Sequence, residues 1–408
     1  MTDNTNIKMF GSGTGTINND SLQQIIEQGQ AHNIALEDIE KGITALWQAT
    51  DMTRQADSEP AVMRACVLNL VICTETDEEL EQATNSIARL TWTYPSRSIV
   101  LLSKPNDPEE EITAWISAHC QMPDPKGRKV CCEQITIEGR GTGAERISSM
   151  VLPLLVSDLP VTLWWRYDLG SQLNLFQHLF ETADRLVVDS RLFKKPTTSF
   201  KQLADLAEST QHKVSISDLN WTRLTPWRSA ISQFFDNTSF LPYLYTVDKL
   251  EIEYEAPYDF EQPNFSEALL LVGWFAKVLN WKPAFALKVR GSNASLIINR
   301  GGQPLNIEFH GHNERKDELG GITSLRIYSS LPNENREAVF TLTLADDLEH
   351  AHSKIEENGQ IVSTFSALLP LRDVTNLMHE ELSMVGGDSL FEGALVYASK
   401  FGDNGSQV

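Results

Sequence analysis

Residues 138–168, EGRGTGAERISSMVLPLLVSDLPVTLWWRYD, and residues 183–190, ADRLVVDS, decide the fold class of this chain. Gly139, Gly141 and Gly143 interrupt a strand and open a helix, because glycine reaches positive φ without steric penalty. Ile147, Met150, Val151, Leu154 and Leu155 recur at helical spacing, which predicts a helix with one buried stripe, ended by Asp158 and Pro160. The continuous apolar runs 161–165 and 186–188 read as strands covered on both faces. Strand, glycine turn, helix, strand, helix, strand is the grammar of an α/β layer.

Together with YPSR at residues 94–97, just ahead of a strand at 98–103, these words resemble the OpcA family, the glucose 6-phosphate dehydrogenase assembly proteins of cyanobacteria and actinobacteria. The resemblance runs from about Val67 through the second half and is densest in the glycine turn, in LPVTLWW (159–165) and in ADRLVVDS. The family's first motif usually begins with His, so Tyr94 departs from it and no role of that His carries over. The resemblance implies a non-enzymatic protein without a cofactor. Such a protein binds glucose 6-phosphate dehydrogenase, promotes its active oligomer and activates it allosterically in the oxidative pentose phosphate pathway.

Composition sets bounds. A chain of 408 residues is long for one core and comfortable for two. Its 41% hydrophobic and 22% charged residues are those of an ordinary globular protein, not of a disordered or fibrous one. The net charge of −21 argues against a nucleic-acid partner, because phosphate contacts need a basic surface. No apolar run is long enough to cross a bilayer, and the start, MTDNTNIKMFGSGTGTINND, lacks a signal pattern, so the expectation is a cytoplasmic protein without a membrane partner.

Four stretches follow along the chain. Residues 1–20 read as a disordered tail, and residues 21–60 as N-terminal helices with Ile25, Ile26, Ile34, Leu36, Ile39, Ile43 and Leu46 supplying apolar faces. Residues 61–222 read as an α/β domain with strands at 65–73, 98–103, 161–165 and 186–189 and a clear helix at 79–90. Within it, residues 112–120 alternate apolar and polar and residues 130–137 answer them across MPDPKGR, which predicts an inserted β-hairpin. Residues 223–408 read as an α+β domain with an antiparallel sheet. Its helices are expected near 227–235, 266–279 and 388–401, and its short strands at 284–290, 295–299, 305–309, 324–328, 339–344 and 361–365, separated by glycine turns.

The glycine turn has two readings. Backbone N–H groups at a helix start can hold a phosphate, but G-R-G-T-G lacks the dinucleotide spacing and no Walker lysine follows, so a tight packing turn is the simpler account. The candidates for partner binding are Arg97 of YPSR, Arg140 and Arg146 flanking the turn, and Arg166 and Asp189 at strand ends, with Asp189 a candidate partner for Arg166. Trp164 and Trp165 read as core. The competing class is a sugar-phosphate or nucleotide-binding α/β enzyme that uses Arg140, Arg146 and Arg166.

Five cysteines permit one sharper idea. Cys66 and Cys73, on one expected strand, face opposite sides and cannot bond each other. In the hairpin, Cys120 lies opposite Cys131 or Cys132, within disulfide range, so a reversible cross-strand bond with a thioredoxin as reducing partner is expected. Glu308, His310, His312 and Glu314 alternate on one strand, and His350 and His352 repeat the spacing, but without a third ligand a solvated strand face explains them and no metal site is assigned. No nucleophile elbow, HExxH helix or zinc cysteine pairing is present, so no catalytic set is assigned.

Overall fold

The structure, a computed structural model, describes residues 32–52, 62–121, 129–210, 213–256, 264–313, 320–370 and 372–402. The expected tail 1–20, the apolar positions Ile25 and Ile26, the turn MPDPKGR and Glu314 lie outside the described residues. The chain divides into two compact units, Met1–Tyr167 with Gln172–Leu186 and Asp168–Ser171 with Val187–Val408. The boundary expected near 222 falls inside a continuous helix, Leu219–Gln233.

In the first unit a parallel sheet is built from β3 (Leu68–Thr74), β4 (Ser96–Lys104), β6 (Lys129–Arg140) and β7 (Val161–Trp165), in the order β6-β4-β3-β7. These strands are apolar runs buried over nearly their whole length, as strands sandwiched between layers must be. The hairpin is present: β5 (Glu111–Gln121) pairs antiparallel with β6. It is inserted in the layer, since β6 also pairs parallel with β4 and with the short β2 (Val62–Arg64). At its outer edge β5 pairs with β1 (His32–Ile34). Residues 32–34 therefore form an edge strand rather than part of a helix, and the described helix of this region is α1 (Ile39–Met52).

Between β3 and β4 lies α2 (Asp77–Leu90), started by a capping box of Thr76 and Glu79. Leu80, Ala83, Ile87 and Leu90 are its buried stripe. The long helix expected from Ile147 to Leu155 does not form. A single turn, α3 (Gly143–Arg146), is followed by 3-10 turns at Ile147–Met150 and Leu152–Leu154. Pro153 lacks an N–H and clashes with the carbonyl four residues back, so the stripe stays buried while the helix breaks. Past β7 come α4 (Leu173–Phe180) and β8 (Arg185–Val188), and the division between units falls inside β8.

The second unit begins with the end of β8, followed by α5 (Pro196–Ser209), β9 (Ser215–Asp218), α6 (Leu219–Gln233) and α7 (Leu241–Leu244). It then builds a nine-stranded sheet among the described residues. Its strands are β10 (Val247–Glu255), β11 (Lys282–Pro283), β12 (Lys288–Arg290), β13 (Asn293–Arg300), β14 (Gln303–His312), β15 (Ile322–Leu331), β16 (Arg336–Leu344), β17 (His350–Glu357) and β18 (Gln360–Leu368). The order is β11-β13-β14-β10-β15-β16-β17-β18, with β12 also on β13. The sheet is mixed rather than wholly antiparallel, since β10 and β14 run parallel. The chain leaves β10 through α8 (Ser266–Val278) and returns to lay β14 beside it in the same direction, which needs such a crossover.

Alternating burial along β13 and β16 shows one packed face and one open face. Asn358 and Gly359, both at positive φ, join β17 to β18 as a tight hairpin turn. The last helices are α9 (Val374–Ser383) and α10 (Ser389–Lys400). Helix α10 packs so closely on α8 that a Cβ at Gly273 would collide with the Ala394 backbone.

Candidate functional site

Two strand-end sites emerge, one in each unit. In the first unit the chain leaves β3 toward β4 on one side and later returns to β7 on the other. The crevice beyond the carboxyl ends of β3 and β7 is thus the topological switch point, where open α/β sheets take ligands. The sequence there, TETDEEL from Thr74 to Leu80, contains no glycine. The first turn of α2 carries Asp77, Glu78 and Glu79.

Glu79 Oε2 accepts the backbone N–H groups of Glu75 at 2.7 Å and Thr76 at 3.3 Å, and Thr76 Oγ1 accepts the N–H of Glu79 at 3.2 Å. The helix start is self-capped: the Glu79 carboxylate takes the two backbone donors just ahead of the helix and Thr76 Oγ1 takes one in its first turn. Gln172 also reaches in, accepting from Ser103 Oγ at 2.5 Å and donating to Glu75 at 3.4 Å. Lys104 is tied to Asp77 and Glu138, both at 3.0 Å. Four acids around a helix start do not fit a dinucleotide.

The glycine turn is a packing device. A Cβ at Gly139 would lie 2.7 Å from Ile147 Cγ2 and 2.8 Å from the Cα of Ala144, and Gly141 has φ +52°. The arginine candidates are not gathered into one site. Arg97 is buried, with Nε on Glu133 at 3.0 Å and Nη1 on Glu40 at 2.8 Å and on the Leu154 carbonyl at 2.9 Å. That network holds β4 to its neighbours and leaves Arg97 no exposed face for a partner. It sits seven residues along β4 from Lys104, the strand partner of Arg140, hence about 23 Å away by strand rise.

Arg140 is bound to Glu138 at 2.9 Å and Glu109 at 3.2 Å, while Arg146 is exposed. Arg166 lies 5.4 Å over Trp164 and donates to the Glu79 carbonyl at 3.0 Å and to Gln82 at 2.8 Å. Asp189, expected as its partner, is instead held by Arg223. Trp164 and Trp165 are core, with Trp165 edge-on to Tyr167 and Phe176.

The cysteine geometry is definite. Cys120 and Cys131 are cross-strand partners with Cα atoms 4.1 Å apart and are joined as a disulfide. Cys132 faces the opposite side, buried 3.1 Å from Thr91 Oγ1, and burial pushes its thiol up to about 11. Cys66 precedes β3, and its sulfur accepts the N–H of Arg97 at 3.1 Å. Among the described residues no group of three His, Cys, Asp or Glu side chains is placed to hold a metal. His310 lies 3.5 Å from Glu308, and His350 2.8 Å from Asp347.

Of the second site, only Asp189 was assigned from sequence, and with Arg166 rather than Arg223 as its partner. Strand β8 is followed at once by Asp189 and Ser190, and β9 ends at Asp218, the N-cap of α6. Asp189 is gripped by both terminal nitrogens of Arg223 at 2.7 and 2.6 Å. Burial works against its ionised form, but the Arg223 guanidinium overcomes this and holds its carboxyl below the usual range. Asp218 Oδ1 accepts the N–H groups of Ser190 and Asn220, each at 2.9 Å. Burial, with the Asp189 charge added, pushes Asp218 up to about 7.

Asn264 donates to the carbonyls of Ser190, Arg191 and Phe193 and so fixes the turn that aims Arg191, whose Nη2 meets Glu267 at 2.9 Å. Next to this network opens a cleft of about 190 Å³ lined by Arg191, Arg223, Arg372, Glu267, Trp227 and several apolar side chains. The sequence did carry one signal for it: an aspartate at or just past each strand end caps the following turn, at VVDS and at SISD. The arginines come from positions too far apart in sequence for any spacing rule.

Comparison with known proteins defines the class. Residues 87–205 match the family model described as the glucose-6-phosphate dehydrogenase subunit N-terminal domain, and residues 214–395 match the corresponding C-terminal domain. The chain belongs to the OpcA family. Relatives named OxPP cycle protein OpcA include that of Synechocystis sp., 33% identical over 190 residues, which is 46% of this chain and 38% of the relative. That of Nostoc punctiforme is 27% identical over 74% of this chain and 64% of its own length, and that of Synechococcus elongatus 31% over 55% and 47%. The chain thus spans less than two thirds of the length of these relatives.

Among solved structures, UDP-N-acetylglucosamine 3-dehydrogenase from Acidithiobacillus ferrooxidans is 8% identical, with 83% of this chain and 97% of that one covered at a TM-score of 0.40. The oxidoreductase yvaA of Bacillus subtilis is 8% identical, with 82% and 98% covered at a TM-score of 0.44. Scores this low carry no argument about activity.

Proposed function

We propose that this chain is a non-enzymatic accessory protein of glucose 6-phosphate dehydrogenase in the oxidative pentose phosphate pathway. It acts in the cytoplasm, binds the dehydrogenase, favours its active oligomer and raises its activity. The family supplies the partner, and one observation supports the non-enzymatic part: the helix start at the switch point is capped by its own Glu79 and carries Asp77 and Glu78, where a dinucleotide would place its phosphates. Activation requires tighter binding to the active state than to the inactive one, a coupling of about 1 to 3 kcal/mol in most systems. Among the candidate contacts, Arg146 and Arg166 keep part of their surface open to a partner.

The test is a titration of the cognate dehydrogenase with this chain at low glucose 6-phosphate. The expected result is a lower apparent KM, because the substrate-competent state becomes more populated. Unchanged kinetics at saturating protein, with both partners folded, would sink the reading. Turnover of glucose 6-phosphate by the isolated chain would favour the enzyme class instead.

The Cys120–Cys131 bond gives this role a redox handle. A thioredoxin-class dithiol would pass two electrons and two protons to it and leave with its own disulfide. Cys120→Ser should remove any difference in activation between oxidised and reduced protein; if the difference persists, redox control lies elsewhere.

A further inference from the structure

We propose that the cleft of the second unit binds a small organic phosphate, a phosphomonoester, through Arg191, Arg223 and Arg372. The site lies beyond the carboxyl end of β8, between α6, α8 and the strand ends at Ile322 and Leu344. Arg191, Arg223 and Arg372 all line a cleft of about 190 Å³. They do so in a chain with a net charge of −21, where acids outnumber bases and such a cluster does not arise from composition.

Each guanidinium is held by a carboxylate partner: Arg191 by Glu267 at 2.9 Å, Arg223 by Asp189 at 2.6 Å and Arg372 by Glu380 at 2.7 Å. A guanidinium carries five N–H donors, so each keeps donors beyond those its carboxylate takes. Asn264 locks the Arg191 turn through three carbonyls, and Asp189 grips Arg223 with two bonds, so the donors are set in place before a ligand arrives.

The geometry selects the ligand class. Donors approaching from a turn, a helix and a distant loop suit a tetrahedral oxyanion, whose oxygens point in several directions, better than a planar carboxylate. The rest of the lining includes Trp227, Leu344, Leu348 and Leu369, which offer an apolar wall to the organic body of the ligand. The cleft, about 190 Å³ and open to solvent on one side, has room for a phosphate with a compact organic group.

The experiment is isothermal titration of the isolated full chain with glucose 6-phosphate as the probe phosphomonoester, inorganic phosphate as competitor and glucose as the uncharged control. Glucose 6-phosphate should bind, phosphate should compete with it, and glucose should give no heat. Arg372→Gln should keep the melting temperature and weaken binding by about tenfold or more, the scale of one lost charged hydrogen bond. Arg146→Gln, an exposed arginine of the first unit, should bind as the parent does. If Arg372→Gln fails to fold, Arg191→Lys serves instead, since it keeps the charge and removes the fork. No heat with glucose 6-phosphate, or equal affinity in the Arg372→Gln and Arg146→Gln variants, overturns the proposal. No dehydrogenase is present in this experiment, so its failure and that of the activation titration are separate results.

Discussion

Two strand-end crevices, one in each unit, share a backbone plan and carry opposite chemistry. Beyond β3 the chain turns directly into a helix whose start is closed by Glu79 and surrounded by Glu75, Asp77 and Glu78. Beyond β8 it turns through Asp189 and Ser190 into a cleft lined by Arg191, Arg223 and Arg372. The first spends its backbone donors on its own side chain. The second uses carboxylates to hold guanidinium groups that line a cleft. A strand end followed by a turn is therefore only an opportunity; the charge placed behind it decides what it can admit.

The largest expected effect tests the second crevice. Asp189→Ala leaves Arg223 charged and nearly buried without its bidentate partner, which should destabilise the protein by about 3–5 kcal/mol, read from urea unfolding. A loss as small as that for a surface pair would mean that the carboxylate is not what holds the arginine.

Next is the pH dependence of Asp218. Its folded pKa, near 7, lies above the unfolded value of 3.8, so the folded state holds a proton that the unfolded chain releases. Its contribution to stability is therefore complete below about pH 4 and is lost as pH rises to about 7, with a limiting slope of about 1.4 kcal/mol per pH unit. Asp189 behaves oppositely: its depressed pKa gives stability that is present above its unfolded value of 3.8 and lost as pH falls through the folded one. Asp218→Asn should flatten the stability curve between pH 4 and 7 in chemical denaturation. An unchanged curve would show that another group titrates there.

In the first crevice, Glu79→Ala removes one arm of the capping box and should cost about 1 kcal/mol of stability. Calorimetry with NADP should remain silent for both the parent and this variant, because Glu75, Asp77 and Glu78 stay in place. Heat from either would reopen the switch point as a nucleotide site. The smallest effect belongs to Arg372→Gln. Its pair with Glu380 is partly exposed, so melting should shift by no more than about 0.5 kcal/mol equivalent.

Legibility followed the kind of interaction. Buried parallel strands were read within a few residues, with 161–165 matched at both ends, because burial on two faces forces a continuous apolar run. The cross-strand cysteines were legible because a hairpin ties register to sequence distance, and the register chose Cys131 over Cys132. The helix from Ile147 failed because the apolar spacing outvoted Pro153. Central strand β10 went unread although Leu250, Ile252 and Tyr254 alternate with Glu251, Glu253 and Glu255 at period two. Arg97 looked like a surface contact and is a buried strut, since sequence shows a charge but not the Glu133 and Glu40 that neutralise it.

The sequence by itself determined the α/β layer, the packed glycine turn, the hairpin and the lack of dinucleotide spacing in G-R-G-T-G. All of these depend on residues close together in the chain, where φ preferences, apolar periodicity and capping act over a few positions. Only the tertiary structure decided which arginines are struts and which face open space. Residues 191, 223, 264, 267 and 372 meet through folding alone, and electrostatics depends on distance in space, which spacing in the chain does not encode.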